Sequence, residues 1–165
     1  MKCSVLSIGT ELTTGQIINK NAAFLSQSLK HLGLTTNTHV TVPDERKIIL
    51  KALKTCAAES DLIFVTGGLG PTSDDFTREV ISQWSKKKLK WHEESWQQVQ
   101  EYLTARGQKV RDFQKQQCFF PAGAQILFNR RGTAHAFFLK IGRKTVFVLP
   151  GPPRVMNALG SLMSS

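Results

Sequence analysis

The sequence predicts an α/β fold in which a mostly parallel sheet carries helices on both faces, and three observations support this. Short apolar runs typical of strands alternate with segments whose apolar residues recur at helical spacing. Glycine or proline stands near the ends of several of these segments. Two late apolar runs are separated only by Gly142 and Arg143, which predicts an antiparallel hairpin that extends the sheet.

The first half of the chain supplies the alternation. Strands are predicted for the runs CSVLSI, TTNTHVTV and DLIFVT, at 3–8, 35–42 and 61–66. A helix is predicted at 19–32, and a second one begins near Asp44, a suitable N-cap residue. Because strands joined by helices pair in parallel through right-handed crossovers, we expect these three strands to be neighbours in one sheet.

The second half is less regular. The predicted elements are helices at 75–85, 93–106 and 111–117, a strand at 124–128, the hairpin at 136–149 and a final helix at 152–163. No linker, repeat or low-complexity tract interrupts the sequence. Residues 1–165 are therefore expected to form one domain.

The formal net charge of +10 suggests nucleic-acid binding as one hypothesis. The densest basic segment lies between Trp84 and Trp91 and contains Lys86, Lys87, Lys88 and Lys90. Lysines interleaved with aromatic residues could hold a single strand. No nucleic-acid-binding motif accompanies the segment, so a lysine-rich loop with both tryptophans turned inward is favoured, and nucleic acid is not an expected partner.

The sequence also favours a cytoplasmic protein without a membrane partner. No apolar run reaches the length of a membrane span, and the first residues lack a signal-peptide core. The cysteines are odd in number, scattered and without metal-ligand spacing, which suits a reducing compartment: Cys3, Cys56 and Cys118. The sequence does not determine the oligomeric state, and a homo-oligomer is one possibility.

The segment TGGLGPTSDD, at 66–75, has the composition of a phosphate-binding loop. It follows a predicted buried strand, and ligands of open α/β sheets bind beyond such strand ends. Gly67, Gly68 and Gly70 allow backbone N–H groups to approach an anion closely, and the N-terminus of the next helix favours negative charge. The segment has neither the Gly-Lys-Ser/Thr ending of a Walker A loop nor GxGxxG spacing. It is therefore expected to be another type of phosphate loop.

Two adjacent aspartates end this loop. Asp74 or Asp75 could cap the following helix, which would account for one carboxylate. Two carboxylates beside a phosphate repel each other and the ligand unless a cation lies between them. A metal-binding or catalytic role for at least one of them is therefore favoured over capping alone.

At these residues the sequence resembles the CinA family, the competence/damage-inducible proteins, whose N-terminal domain belongs with the MogA/MoaB-like molybdopterin-binding domains. TGGLGPTSDDFTRE is similar to the family signature, and VLPGPPRVM to a late motif. The similar segments cover most of the chain: 8–33, 42–53, 66–79, 113–137 and 148–156.

The resemblance implies a three-layer α/β/α domain whose ligand lies across the strand ends. It implies catalytic roles for Asp75, Asp44 and Glu11 and metal binding by Asp74 and Asp75. The ligand or its phosphates would be bound by Gly67, Gly68, Gly70, Thr72, Asn19, Asn129, Gly132, Thr133 and Gly151. Two of these residues have an alternative role, since Asp44 could cap its helix and Asn129 could stabilise a turn.

The sequence departs from the family pattern at two places. Thr10 stands where many members have aspartate, which removes one carboxylate from the first motif. The usual Thr-Ala-Pro-Gly-Phe is Thr133-Ala134-His135-Ala136-Phe137 here. Losing proline and glycine alters the backbone freedom of that loop, and His135 is either a replacement polar group or incidental.

The resemblance implies metal-dependent hydrolysis of a nucleotide pyrophosphate, with ADP-ribose giving AMP and ribose 5-phosphate. The cofactor would be a divalent ion (Mg, Mn or Co) that neutralises the pyrophosphate and lowers the pKa of water. The alternative is a molybdopterin-binding or adenylyl-transfer domain of the molybdenum-cofactor type, or a non-catalytic ligand sensor. The partner is in each case a small phosphorylated ligand, ADP-ribose or a pterin phosphate.

Overall fold

The computed structural model describes residues 1–151, so the helix predicted at 152–163 lies outside the described residues. A 3-10 helix spans Asp112–Cys118. The strands and the α-helices are, in chain order, β1 (Lys2–Ile8), α1 (Thr10–Thr13), α2 (Lys20–His31), β2 (Thr35–Val42), α3 (Arg46–Glu59), β3 (Leu62–Thr66), α4 (Thr77–Ser85), β4 (Leu89–Trp91), α5 (Glu93–Thr104), β5 (Phe119–Pro121), β6 (Gln125–Leu127), β7 (Ala136–Ile141) and β8 (Lys144–Leu149).

The main sheet has six strands in the order β2-β1-β3-β8-β7-β6. β1 pairs in parallel with β2 and with β3, which confirms the parallel trio expected from the sequence. β8 pairs in parallel with β3 and antiparallel with β7. The antiparallel extension therefore consists of β7 and β6, whereas the second strand of the hairpin continues the parallel part.

Helices cover both faces of this sheet, as the three-layer prediction requires. Ile63 and Val65 of β3 pack in one core cluster with apolar residues of α3 and α4. Leu62 and Phe64 pack in another cluster with Leu25 of α2. Because successive residues of a strand point to opposite faces, a strand covered on both sides is apolar throughout, as LIFV is.

Several local predictions were wrong. The segment predicted as a helix at 111–117 is a 3-10 helix, whose larger rise per residue carries the chain directly into β5. α1, β4 and β5 were not predicted, because elements of three or four residues are too short to show a periodicity. β4 and β5 form a separate antiparallel pair.

The basic segment after α4 also differs in part from its prediction. Lys86 ends α4 in a left-handed conformation, with φ of 56°, so a loop does begin there. Trp84 is half-buried and packs against the core, as expected. Trp91 is 37% exposed on β4 instead of turned inward, and its indole N–H donates to Glu93 Oε2 at 2.7 Å.

None of the helices within residues 1–151 is long and apolar enough to cross a bilayer. Cys3, Cys56 and Cys118 are buried and free. Burial raises the pKa of the Cys118 thiol to about 11, so this thiol is protonated at neutral pH.

Candidate functional site

A cleft of about 670 Å³ lies at the carboxyl ends of the parallel strands. Neighbouring strands bring their following loops to it: the N–H of Gly9 donates to the Val42 carbonyl at 3.0 Å, and the N–H of Gly67 donates to the Leu149 carbonyl at 3.2 Å. The lining consists of Ile8, Gly9, Glu11, Leu12, Ile17, Ile18, Asn19, Lys20, Asn21, Asp44, Thr66, Gly67, Gly68, Leu69, Gly70, Thr72, Asp74, Asp75, Ala134, Pro150 and Gly151.

Most of the residues predicted for the site lie in this lining. They are Glu11, Asn19, Asp44, Gly67, Gly68, Gly70, Thr72, Asp74, Asp75 and Gly151. Asn129, Gly132 and Thr133 do not line the cleft, and from their loop only Ala134 reaches it. Strand order explains the common placement, because parallel strands all end at the same edge of a sheet.

The glycine loop is built for close backbone approach. Gly67 and Gly68 have φ angles of +96° and +66°, in the left-handed region that favours glycine. A Cβ at Gly67 would collide with the Ile8 carbonyl oxygen of the neighbouring strand, and one at Gly68 would collide with Thr77 Oγ1. Thr77 Oγ1 donates to the Gly67 carbonyl at 2.8 Å, which fixes the loop to the start of α4.

Asp75 organises the second half of the loop and does not cap α4. Its two carboxylate oxygens accept from the Gly70 N–H at 2.8 Å, the Thr72 N–H at 2.9 Å and the Thr72 hydroxyl at 2.5 Å. α4 begins at Thr77 without a side-chain cap, so the capping role considered for Asp74 or Asp75 is wrong. The Gly70 N–H is already donated to Asp75 and is therefore not free for a phosphate.

Two other N–H groups of the loop remain for an anion. Within residues 1–151, the N–H groups of Gly68 and Leu69 donate to no protein acceptor. Both residues line the cleft, and two successive free N–H groups form a small anion-binding concavity. Leu69 was missed in the sequence because leucine carries no signal for a role that its backbone performs.

A buried arginine donates hydrogen bonds to the backbone of the glycine loop. Arg78 of α4 is 1% exposed, and its guanidinium donates to the carbonyls of Leu69 at 2.7 Å and Gly70 at 2.9 Å. No carboxylate lies within salt-bridge distance of it among the described residues. Burial lowers the pKa of Arg78, although the charges of Glu79 and Asp75 oppose that shift. Sequence reasoning missed this role, because an arginine in a first helical turn is usually solvated.

Thr10, the departure in the first motif, binds Asp44. The Thr10 N–H donates to Asp44 Oδ2 at 2.8 Å and its hydroxyl to the same oxygen at 3.1 Å, while the Asp44 N–H donates back to the hydroxyl at 3.2 Å. The Asp44 carboxylate therefore accepts hydrogen bonds from Thr10, the first residue of α1. It does not cap α3, whose N-cap is Glu45. The alternative in which Asp44 caps α3 is therefore wrong. An aspartate at position 10 would instead place two carboxylates side by side.

Asn19 and Asn129 have clear structural partners. Asn19 caps α2 by accepting from the Ala22 N–H at 3.1 Å, and its amide donates to Thr41 Oγ1 at 3.3 Å. Asn129 Oδ1 accepts from the Arg131 N–H at 2.9 Å, and its Nδ2 donates to the Ala134 carbonyl at 3.1 Å. Asn129 thus has the turn-stabilising role that was its alternative. The remaining late-loop hydroxyl also bonds locally: Thr133 Oγ1 donates to Gln117 Oε1 at 2.9 Å.

His135 supports the late loop from the protein interior. It is 2% exposed, and its Nδ1 accepts from the Asn129 N–H at 3.0 Å, which requires an unprotonated Nδ1. Burial is the main cause that lowers the pKa of His135, and the neighbouring His92 lowers it further. His135 is therefore a neutral structural residue at neutral pH.

Lowering the pH below about 6.5 is expected to reduce the free energy of unfolding through His135. The unfolded chain binds a proton there more readily than the folded one, so this stability is complete above the unfolded pKa and is lost as pH falls through the lowered folded pKa. Urea unfolding between pH 5 and 8 measures the change. His135→Asn keeps an acceptor without a titratable ring and should flatten the profile, whereas an unchanged profile would contradict the assignment.

The charge of the cleft is opposite to that of the whole chain. Among residues 1–151, four carboxylates line it, those of Glu11, Asp44, Asp74 and Asp75, and the lining contains one ammonium, that of Lys20. Within residues 1–151, no group of three or more His, Cys, Asp or Glu side chains is arranged to hold a metal ion. The described part of the lining is therefore net negative, in a protein with a formal net charge of +10.

The fold and the cleft define a class: an α/β domain with helices on both faces of a mostly parallel sheet, whose site lies at the strand ends. A family model described as "Probable molybdopterin binding domain" matches residues 4–163. The chain belongs to that family. The resemblance to CinA proteins and to MoaB/MogA-like domains is confirmed by the individual relatives.

A CinA-like protein of Dictyoglomus thermophilum is 40% identical over 156 residues, which are 94% of this chain and 38% of that protein. The chain thus spans well under half the length of the curated relatives it matches. The crystal structure of CinA from Thermoplasma acidophilum superposes with a TM-score of 0.89 at 29% identity, covering 99% of this chain and 97% of that one. MoaB of Thermus thermophilus gives 0.64 at 17%, covering 98% and 90%, which shows a shared fold.

Proposed function

We propose that the cleft binds a pterin phosphate of the molybdopterin type, with the phosphate at the N–H groups of Gly68 and Leu69. The observation that carries this proposal is the pair of N–H groups in the loop after β3 that have no acceptor within residues 1–151. Asp75 and Arg78 hold this loop through hydrogen bonds to the backbone of Leu69 and Gly70. The family description supports the pterin as the ligand. The volume of about 670 Å³ is within the usual range of small-molecule sites.

A divalent cation completes this proposal, since the carboxylates of the lining would otherwise repel the phosphate. Asp74 is the carboxylate best placed to bind it. The only hydrogen bond of its side chain within residues 1–151 is a long one of 3.4 Å from Ser73 Oγ, whereas both oxygens of Asp75 are already engaged. Carboxylate oxygens suit Mg²⁺ or Mn²⁺. The ammonium of Lys20 also attracts the phosphate, and this attraction does not depend on a metal ion.

Isothermal titration with molybdopterin and with ADP-ribose, each with and without Mg²⁺, tests this function. We expect molybdopterin to bind in the micromolar range or tighter, about −8 kcal/mol, and to bind more weakly when EDTA removes the ion. Absence of molybdopterin binding with every divalent ion tried would refute the pterin assignment.

Asp74→Asn should weaken Mg²⁺-dependent ligand binding about tenfold, which corresponds to about 1.4 kcal/mol, and leave the melting temperature unchanged. The reason is that Asp74 is exposed and supports little of the fold. Titration and melting curves of the same preparations measure both quantities. Asp61→Asn, the same change on an exposed aspartate at the other end of β3, is the matched control. Equal affinity of the two variants would exclude Asp74 as an ion ligand.

Asp75→Asn tests ion binding less selectively than Asp74→Asn, because Asp75 also holds the loop through hydrogen bonds. The amide nitrogen that replaces one oxygen cannot accept from the N–H of Gly70 or Thr72, so a partly buried or exposed donor loses its partner at a cost of about 1 kcal/mol. Stability and binding should therefore fall together in this variant. We therefore expect asparagine to leave stability unchanged at Asp74 and to lower it at Asp75.

The second candidate function is hydrolysis of ADP-ribose to AMP and ribose 5-phosphate. The four carboxylates that line the cleft within residues 1–151 favour it, because carboxylates hold a divalent ion beside a pyrophosphate. The bound ion would supply charge neutralisation and a water of lowered pKa. Glu11, which is exposed on α1 and faces the cleft, is the carboxylate available to accept a proton. AMP release that requires a divalent ion would support hydrolysis, and tight binding without AMP release would favour the ligand sensor.

A further inference from the structure

Two large apolar side chains are exposed at the edge of the cleft. Ile17 is 57% exposed and Ile18 is 78% exposed, and both line the cleft together with Leu12. Scattered exposed isoleucines are common, but adjacent ones beside a ligand-sized cleft mark a binding surface. Phosphate binding at Gly68 and Leu69 does not involve these two side chains, so it does not explain why they are exposed at the cleft.

The backbone that carries these isoleucines is held in place. The N–H groups of Gln16 and Ile17 both donate to the Glu11 carbonyl, at 3.0 and 3.2 Å, and the Lys20 N–H donates to the Ile18 carbonyl at 2.8 Å. Asn19, which directly follows Ile18, caps α2. The apolar surface is thus preorganised, and little conformational entropy is lost when a ligand covers it.

The isoleucines and the anion-binding groups lie on different segments. Ile17 and Ile18 belong to the connection after β1, whereas Gly68 and Leu69 belong to the loop after β3. β1 and β3 are neighbours in the sheet, so both segments end at one shared cleft. This cleft therefore has an anion-binding side and an apolar side.

We infer that Leu12, Ile17 and Ile18 form the subsite for the ring system of the ligand whose phosphate lies at Gly68 and Leu69. The inference rests on the proposed function and deepens it, because these side chains would favour phosphate esters that carry a fused heterocycle, such as a pterin or purine, over sugar phosphates that carry none. Aliphatic side chains offer a ring face hydrophobic and dispersion contact but no hydrogen bond. The subsite therefore selects by shape.

Titration with AMP and with ribose 5-phosphate in Mg²⁺ tests the inference, because the two probes share the sugar phosphate and differ in the ring. The wild-type chain should bind AMP at least about tenfold more tightly. Changing Ile17→Ser and Ile18→Ser together should weaken AMP about tenfold and ribose 5-phosphate less than about twofold. Leucine at both positions should retain AMP binding. Ile48→Ser is the matched control, on an isoleucine 37% exposed on α3 outside the cleft lining.

An equal loss of both probes in the serine variant, or no loss of either, overturns the inference. If wild-type protein binds the two probes equally, the ring subsite is refuted while the phosphate site stands. If it binds neither, the ring subsite is refuted, and the titration with molybdopterin decides the proposed function separately. Gly68→Ala, whose Cβ would collide with Thr77 Oγ1, should weaken both probes alike. Sedimentation completes the test, since a changed oligomeric state in the serine variant would assign the surface to a second copy of the chain.

Discussion

Gly67→Ala should destabilise the protein by about 4 kcal/mol or prevent it from folding. The left-handed φ of +96° costs an alanine about 1–2 kcal/mol. The new Cβ would also collide with the Ile8 carbonyl oxygen, and forced overpacking costs roughly 1–3 kcal/mol more. That oxygen belongs to the backbone of a central strand, so no side-chain rotation relieves the contact. Urea unfolding followed by circular dichroism measures the loss.

Gly33→Ala is the control for Gly67→Ala. Gly33 has a φ of +76°, and a Cβ there meets nothing within 4 Å, so only the backbone term of about 1–2 kcal/mol applies. The difference in the free energy of unfolding between the two variants measures the cost of the contact between the loop and β1. Equal destabilisation by both variants would show that this approach relaxes and that the loop is not fixed by the sheet.

Arg78→Met should lower the free energy of unfolding by about 3 kcal/mol. Methionine fills a similar volume, but it removes the donors of the buried Leu69 carbonyl and of the partly buried Gly70 carbonyl, at about 1–3 kcal/mol for the first and less for the second. Removal of a buried charge offsets part of that cost. Because the two carbonyls belong to the anion loop, phosphate binding should weaken as well. Thermal unfolding and titration with AMP measure the two effects.

Arg130→Met removes an exposed guanidinium and should change stability by no more than about 0.5 kcal/mol. Arg78→Lys keeps the charge, but a single ammonium cannot reproduce the fork that binds two carbonyls, so it should recover only part of the loss. A stable Arg78→Met protein with unchanged phosphate affinity would refute the supporting role of Arg78.

The architecture was predictable because its signals are local. The runs CSVLSI and DLIFVT are short, apolar and followed by glycine or by a glycine-rich loop, and a helix lies between each pair of strands. Gly142 and Arg143 likewise predicted the hairpin. Elements of three or four residues escaped because they have no period, and the pairing of β4 with β5 depends on residues about thirty positions apart.

The site was predictable where one loop contains its own signal and not where partners are distant in sequence. The glycines and aspartates of 66–75 stand together, and they line the cleft together. Thr10 and Asp44 bind each other across 34 positions, which no single-sequence pattern shows. Arg78 has the sequence context of an exposed helix residue, and Asn129 has that of a site residue. Only the packing distinguishes these two cases.

The position of β8 has a consequence for how the chain reaches its native state. β8 is the last described strand in sequence, yet it lies in the interior of the sheet between β3 and β7. During synthesis, the β1–β3 unit is complete about eighty residues before residues 144–149 emerge, and until then β3 presents an unpaired apolar edge. Slow, non-local closure of this kind exposes nascent chains to aggregation. Expression yield should therefore depend on temperature and on chaperone supply more strongly than equilibrium stability does.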